Sequence, residues 1–282
     1  MDAETVRRMQ AVTAATWRIE GPHAPQHVGD VAWMRYQHSG REHEWRVRIW
    51  QRGGEDVAWA WVREPTSTLF WCLRPEVREA LVDEVMEWAQ VRIVEVQSTD
   101  AISRAALERH GYALDADARV LAIHDRELRD EREVETPPGF RLRTVGPDDL
   151  AARAELHQVV WAPSRLTEES YGNVQAAWPY RRELDCVVEG PGGRLVAYCL
   201  AWLDPDNRAG EFEPVGTHPD FRRIGLGSAV CRFALRRLEE EGATRAVVYA
   251  LVDSEDPGAK ALYESVGFVE TSRFLRYTRD LP

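Results

Sequence analysis

Between residues 226 and 241 apolar side chains return every third or fourth place. Ala229, Val230, Phe233, Ala234 and Leu238 share one side, with arginines and glutamates between them. That period predicts a helix with one buried stripe, and Gly242 is placed to end it. Residues 246–252 are almost continuously apolar, which predicts a buried strand. Residues 257–266 suit a helix with Pro257 in its first turn and Gly267 just past its end, and 268–278 close with further strands. Ahead of these, strands are expected near 140–143, 185–189, 195–203 and 211–217, the last three as a meander, with helices around 148–161 and 168–178.

The first half has the same cadence. Residues 46–50 and 57–62 read as a hairpin around Gly53-Gly54, followed by a strand at 66–73, a helix at 77–89, a strand at 91–96 and a helix at 101–109. A repeat is expected. Residues 130–139, DEREVETPPG, combine charge with Pro137-Pro138-Gly139, a composition that stays solvated and cannot continue a helix. The expected division is 1–133, a linker at 134–139, and 140–282.

Composition narrows the function. A chain of 282 residues is comfortable for two cores. A formal charge of −11 argues against nucleic acid, which needs a positive face. Cys72, Cys186, Cys199 and Cys231 are too scattered for a zinc site or a disulfide framework. They read as buried thiols, and no metal is expected. No apolar run is long enough to span a bilayer, and Met1-Asp2-Ala3-Glu4 lacks the basic start of a leader. A cytoplasmic location without a membrane partner is expected. Eight of the eleven tryptophans fall in the first half, where core is the expected role and an acceptor cleft the alternative.

The chemistry concentrates in residues 213–227, where a strand runs through a loop directly into a helix. Arg222-x-x-Gly225-x-Gly227 removes Cβ atoms where backbone amides open a helix. Unpaired amides and the helix dipole favour a diphosphate there, with Arg222 or Arg223 adding a charged contact. By itself this pattern is weak. It gains weight from the Val-x-Thr-x-Pro strand end before it and from Ala261-Leu262-Tyr263-Glu264-Ser265-Val266-Gly267-Phe268 after it.

With both motifs in this order, residues 140–279 resemble the GNAT superfamily of acetyl-CoA-dependent N-acyltransferases. The resemblance implies an α/β (α+β) fold, a mixed and mostly antiparallel sheet splayed between the strands at 211–217 and 246–252 and flanked by helices. It further implies acetyl-CoA as acyl donor, held by Val215, Gly216 and Thr217 along the pantetheine and by Arg222, Arg223, Ile224, Gly225, Leu226, Gly227 and Ser228 at the pyrophosphate. Tyr263 matches the family's general acid, and Asp256 stands where the family often has asparagine. The base is left open between Glu213 and Glu211, two apart on one strand. Pro214, lacking an N–H, is expected to bulge that strand. His157 and His218 are read as structural.

Laid over the second half, Leu73-Arg74-Pro75-Glu76-Val77-Arg78 matches Thr217-His218-Pro219-Asp220-Phe221-Arg222, but Leu81 and Asp83 stand where Gly225 and Gly227 do, and Leu107 replaces Tyr263. The expectation is a tandem GNAT chain whose first copy is degenerate and does not bind coenzyme A. The expected function is acetyl transfer to a primary amine of a small molecule in a ternary complex. The alternatives are a module that binds acetyl-CoA without turnover and a mycothiol-synthase-like enzyme acting on a cysteinyl amino sugar. The chain is expected as a monomer or homodimer.

Overall fold

The computed structural model describes residues 1–252 and 258–280. The first half opens with two helices, α1 (Ala3–Glu20) and α2 (Val28–Tyr36). It continues through β1 (Trp45–Arg52), β2 (Glu55–Arg63), β3 (Thr68–Leu73), α3 (Pro75–Ala89), β4 (Ile93–Gln97), α4 (Ala101–Arg109), β5 (Ala113–Leu114) and β6 (Val120–Glu127). The second half comprises β7 (Arg141–Thr144), α5 (Leu150–Val160), α6 (Glu168–Ala176), β8 (Asp185–Glu189), β9 (Leu195–Asp204) and β10 (Ala209–Thr217). It ends with α7 (Leu226–Glu240), β11 (Arg245–Val252), α8 (Gly258–Ser265) and β12 (Val269–Thr278).

The strands join in the order β1-β2-β3-β4-β12-β6-β11-β10-β9-β8-β7, with β5 against β12. Neighbours pair antiparallel except at two places. β3 runs parallel to β4 only through Thr68–Ile93 and Leu69–Val94, and β10 runs parallel to β11 only from Ala209–Arg245 to Glu211–Val247. Past those contacts each pair separates, so the architecture contains two splayed, mostly antiparallel sheets flanked by helices.

The last strands are exchanged. β6, at the end of the first half, pairs antiparallel with β11 over its full length. β12 pairs with β6 through residues 269–273 and with β4 through 274–278. Residues 268–278 therefore form one long strand rather than several, because ten consecutive residues find ladder partners first in one sheet and then in the other. The connection after β6 is also less free than its composition suggests. Leu128 is buried, its N–H donates to the Thr244 carbonyl, and the N–H groups of Asp130 and Glu131 donate to the Glu239 carboxylate at 2.8 and 2.9 Å.

Every residue of β9 is buried. One side faces α7 through Val230, Ala234 and Leu238. Across the sheet, Leu200 and Trp202 pack with Trp33, Ala154, Tyr171 and Val174 from α2, α5 and α6. Sequence periodicity left residues 1–44 without elements, yet α1 and α2 are helical and α2 rests on the second-half sheet. Gly29 permits this approach, since a Cβ there would lie 2.4 Å from Trp202 Cγ and 2.6 Å from Glu211 Oε2. Most first-half tryptophans are core, with Trp59 and Trp61 fully buried.

Candidate active site

Past Glu211, β10 has no strand on its β11 side among the described residues. Its register against β9 shifts between Phe212 and Val215, as a residue without an N–H at Pro214 requires of the ladder. The gap opens into a cavity of about 450 Å³. Glu213, Pro214 and Val215 come from β10, Tyr249 and Leu251 from β11, Tyr263 from α8, Phe274 from β12 and Leu121 from β6. The first half completes the wall with Asp30 and Met34 from α2, Arg63 from β2 and Trp71 from β3.

Three carboxylates meet on one side. An oxygen from each of Asp30, Glu211 and Glu213 lies within 4.8 Å of the other two, a spacing able to hold a cation or shared protons. Burial, Asp30 and Glu213 together push the Glu211 carboxyl well above the usual range, and burial with Asp30 does the same for Glu213. Glu211 is fully buried, and its Oε2 lies 3.0 Å from His27 Nδ1. His27 also places Nε2 3.1 Å from the Ala209 carbonyl, and the Gly29 N–H approaches Nδ1 at 3.1 Å. With Nε2–H donating to that carbonyl, Nδ1 is an acceptor, and a protonated Glu211 donates to it. Burial pushes the His27 pKa down, in keeping with a neutral pair rather than a salt bridge. Glu213, by contrast, lines the cavity.

Tyr263 is 8% exposed, and burial raises its pKa well above the normal phenol. At the entrance to α7, Gly225 has φ +87° and caps the helix, Arg223 has φ +66°, and a Cβ on Gly225 would meet nothing within 4 Å. The amides of Leu226, Gly227 and Ser228 open the first turn, where no intrahelical acceptor exists. Arg222 Nε donates to the Thr217 carbonyl at 3.2 Å, the Ser228 and Ser265 hydroxyls lie 3.2 Å apart, and Ile224 is 46% exposed. A Cβ on Gly216 would come within 2.6 Å of Val160 Cγ1, so glycine keeps β10 close to α5. Asp256 lies outside the described residues.

The family model for the acetyltransferase (GNAT) family matches residues 152–268. Residues 152–268 are a GNAT acetyltransferase domain. Around it the chain is similar to mycothiol acetyltransferase of Streptomyces coelicolor, at 30% identity over 51% of this chain and 48% of that protein. It is also similar to the protein of that name from Saccharomonospora viridis, at 27% identity over 71% of this chain and 68% of the relative. The chain thus matches about half the length of the first of these. In fold it is similar to a tandem GNAT protein from the clavulanic acid biosynthesis pathway, with TM-score 0.67 and 15% identity over 100% of this chain and 96% of the other.

The first half lacks the GNAT domain's opening. Its gap between β3 and β4 holds only about 60 Å³. Arg78 bridges both oxygens of Glu20 at 2.7 and 2.8 Å, and Gln97 Nε2 donates to the Ala24 carbonyl at 2.7 Å. Leu81 and Leu107 are fully buried, while Asp83 is held by Arg109 and His110. His218 and His157, both read as structural, are buried. His218 is 6% exposed and braced by Arg194, and His157 Nδ1 lies 2.9 Å from the Tyr198 hydroxyl, with burial and Arg153 pushing its pKa down to about 3. All four cysteines are buried and free. No helix among the described residues is long and apolar enough to cross a membrane. Asp30, His27 and Arg63 escaped sequence reading because they lie far from every motif, and only the Asp-three-after-His spacing of a capping box at 27–30 signalled the α2 start.

Proposed function

We propose that the chain transfers an acetyl group from acetyl-CoA to the primary amine of a small molecule. The observation that carries this is one cavity, beside the unpaired edge of β10, that both Glu213 and Tyr263 line. The open space at Gly225 and the free first-turn amides of α7 fit a diphosphate, and the gap between β10 and β11 fits a thin pantetheine arm. Residues 215–217 would lie along that arm and 222–228 at the diphosphate.

Glu213 is the base. Its raised pKa brings it nearer that of an ammonium than an ordinary carboxylate is, so it can take the acceptor's proton and leave a neutral nitrogen. That nitrogen attacks the acyl carbon, forming a C–N bond as the C–S bond breaks. An N–H of the unpaired edge at Val215 or Gly216 stabilises charge developing on the acyl oxygen. Tyr263 gives its proton to the departing sulfur, and the second proton, which the nitrogen sheds as the amide forms, restores the phenol through solvent. Glu211, committed to His27, is assigned a supporting part only.

Thiol release from acetyl-CoA with a panel of primary amines tests the reading. Turnover should fall roughly 10²–10⁴-fold in Glu213→Gln and in Tyr263→Phe. Acetyl-CoA hydrolysis alone, unaffected by any amine, would favour a binding module instead. A narrower reading, acetylation of a cysteinyl amino sugar, is favoured by the relatives named mycothiol acetyltransferase. Assaying that acceptor beside simple amines separates the two.

A further inference from the structure

Resting on that acetyl-transfer reading, we infer that the acceptor is a small zwitterion: its amine meets Glu213, and an anionic group, carboxylate or phosphate, is held by Arg63 of the first half. The cavity lining carries charges of both signs. Asp30 and Glu213 are its acidic side, next to Tyr263. The other carboxylate in its lining, Glu95, is already answered by Arg276 at 2.7 Å.

Arg63 is different. It lines the same cavity and is only partly exposed, yet its guanidinium makes no hydrogen bond or ion pair with any described residue. It lies over the Phe70 ring, 5.4 Å from the centroid, and feels the more distant charges of Arg41 and Glu44. A half-buried guanidinium with five donors and no protein acceptor has them free for a ligand that displaces water, and a planar fork is suited to carboxylate or phosphate.

A second cavity of about 420 Å³ adjoins the first, sharing Gln37, Trp161, Glu213 and Pro214. His38, Arg41 and Arg165 are its other charged or titratable groups besides His157, whose depressed pKa leaves it neutral. Arg41 is paired with Glu44, while Arg165 is exposed with no polar partner among the described residues. Arg41, Arg63 and Arg165 all lie close enough to act on His38, with Glu44 the carboxylate that acts on it beside them, so cations gather here although the chain as a whole is acidic. Neither Arg222 nor Arg223 lines either cavity, so these cations are separate from those beside the α7 entrance. A neutral amino sugar would leave Arg63 unpaired, so this inference also separates the chain from that acceptor class.

Matched pairs of amines differing in one charge provide the test: β-alanine against β-alaninamide, γ-aminobutyrate against its amide, and phosphoethanolamine against ethanolamine. Each would be followed by thiol release with the full-length protein. The expected result is at least a tenfold higher kcat/KM for the anionic member of one pair, lying mainly in KM. Arg63→Gln should bring that ratio to about one, and Arg63→Lys should keep part of it. Arg165→Gln, at an exposed position that cannot unfold the chain, should lower the ratio two- to fourfold. Which pair shows the preference tells carboxylate from phosphate. Turnover of both members at similar rates in the wild type, or a preference untouched by the Arg63 and Arg165 variants, overturns the inference while leaving acetyl transfer standing. Thiol release unaffected by every amine overturns both.

Discussion

Two glutamates, two residues apart on β10, meet opposite fates. Glu211 is sealed against His27 and Gly29, whereas Glu213 opens to the cavity. The neutral Glu211–His27 pair has a pH signature. A carboxyl whose folded pKa lies above its unfolded value binds a proton on folding, so its contribution is complete below the unfolded pKa and is lost as pH rises toward the folded one. Glu211→Gln keeps a donor for His27 Nδ1 without the ionisation. Its urea-unfolding free energy should therefore fall less than the wild type's between pH 5 and pH 8, with activity retained. Glu211→Ala, leaving a void and an unanswered imidazole, should cost roughly 2–4 kcal/mol at any pH. As the proposed base, Glu213 would gain its active form as pH rises, so kcat/KM should climb through an apparent pKa above the normal carboxylate range. That limb should vanish in Glu213→Gln. The sequence located both glutamates and left the base open between them. What it lacked was His27, 184 positions away, whose contact with Glu211 favours Glu213 as the proposed base. Gly225, Gly227 and Tyr263 were legible because each belongs to a local pattern with its own backbone reason.

At the scale of elements, the helix and strand positions of the second half follow its apolar periodicity to within a few residues. In α1 the buried face includes Gln10, Thr13 and Thr16, which blur its apolar stripe, and α2 faces two different surfaces: Val31 and Met34 pack with Trp59 and Trp61, while Ala32 and Trp33 pack with Trp202. A helix buried on two sides has no single polar face to mark it. β6 was not read from the sequence at all, and apolar alternation would in any case tell that a strand forms but not beside which neighbour. The exchange carries a prediction. A fragment of residues 140–282 would lack β6 and expose the edge of β11, and a 1–133 fragment would lack β12 beside β4. Each alone should be insoluble or molten by near-ultraviolet dichroism and amide exchange, and co-expression should restore a folded pair. A cooperatively folded 140–282 fragment would show that β6 is dispensable.

For the whole molecule, the plugged gap in one half and the open gap in the other predict an unequal pair. Calorimetric titration should give one acetyl-CoA per chain, lost in the Gly225→Asp/Gly227→Asp double variant, where two carboxylates would stand against a diphosphate. Two per chain would mean that the Arg78–Glu20 bridge yields to ligand.

The path of β12 through both sheets bears on how such a chain can change over time. The first half retains no opening of its own, yet its helices floor the second half's sheet, its strand closes that sheet, and Asp30, Arg63 and Trp71 wall the cavity. If the first half is a degenerate copy, as its sequence suggests, it would ordinarily be free to be deleted. This one is stitched in, so selection must keep it, and its wall residues are at liberty to drift toward new acceptors while Tyr263 and the α7 entrance stay as they are.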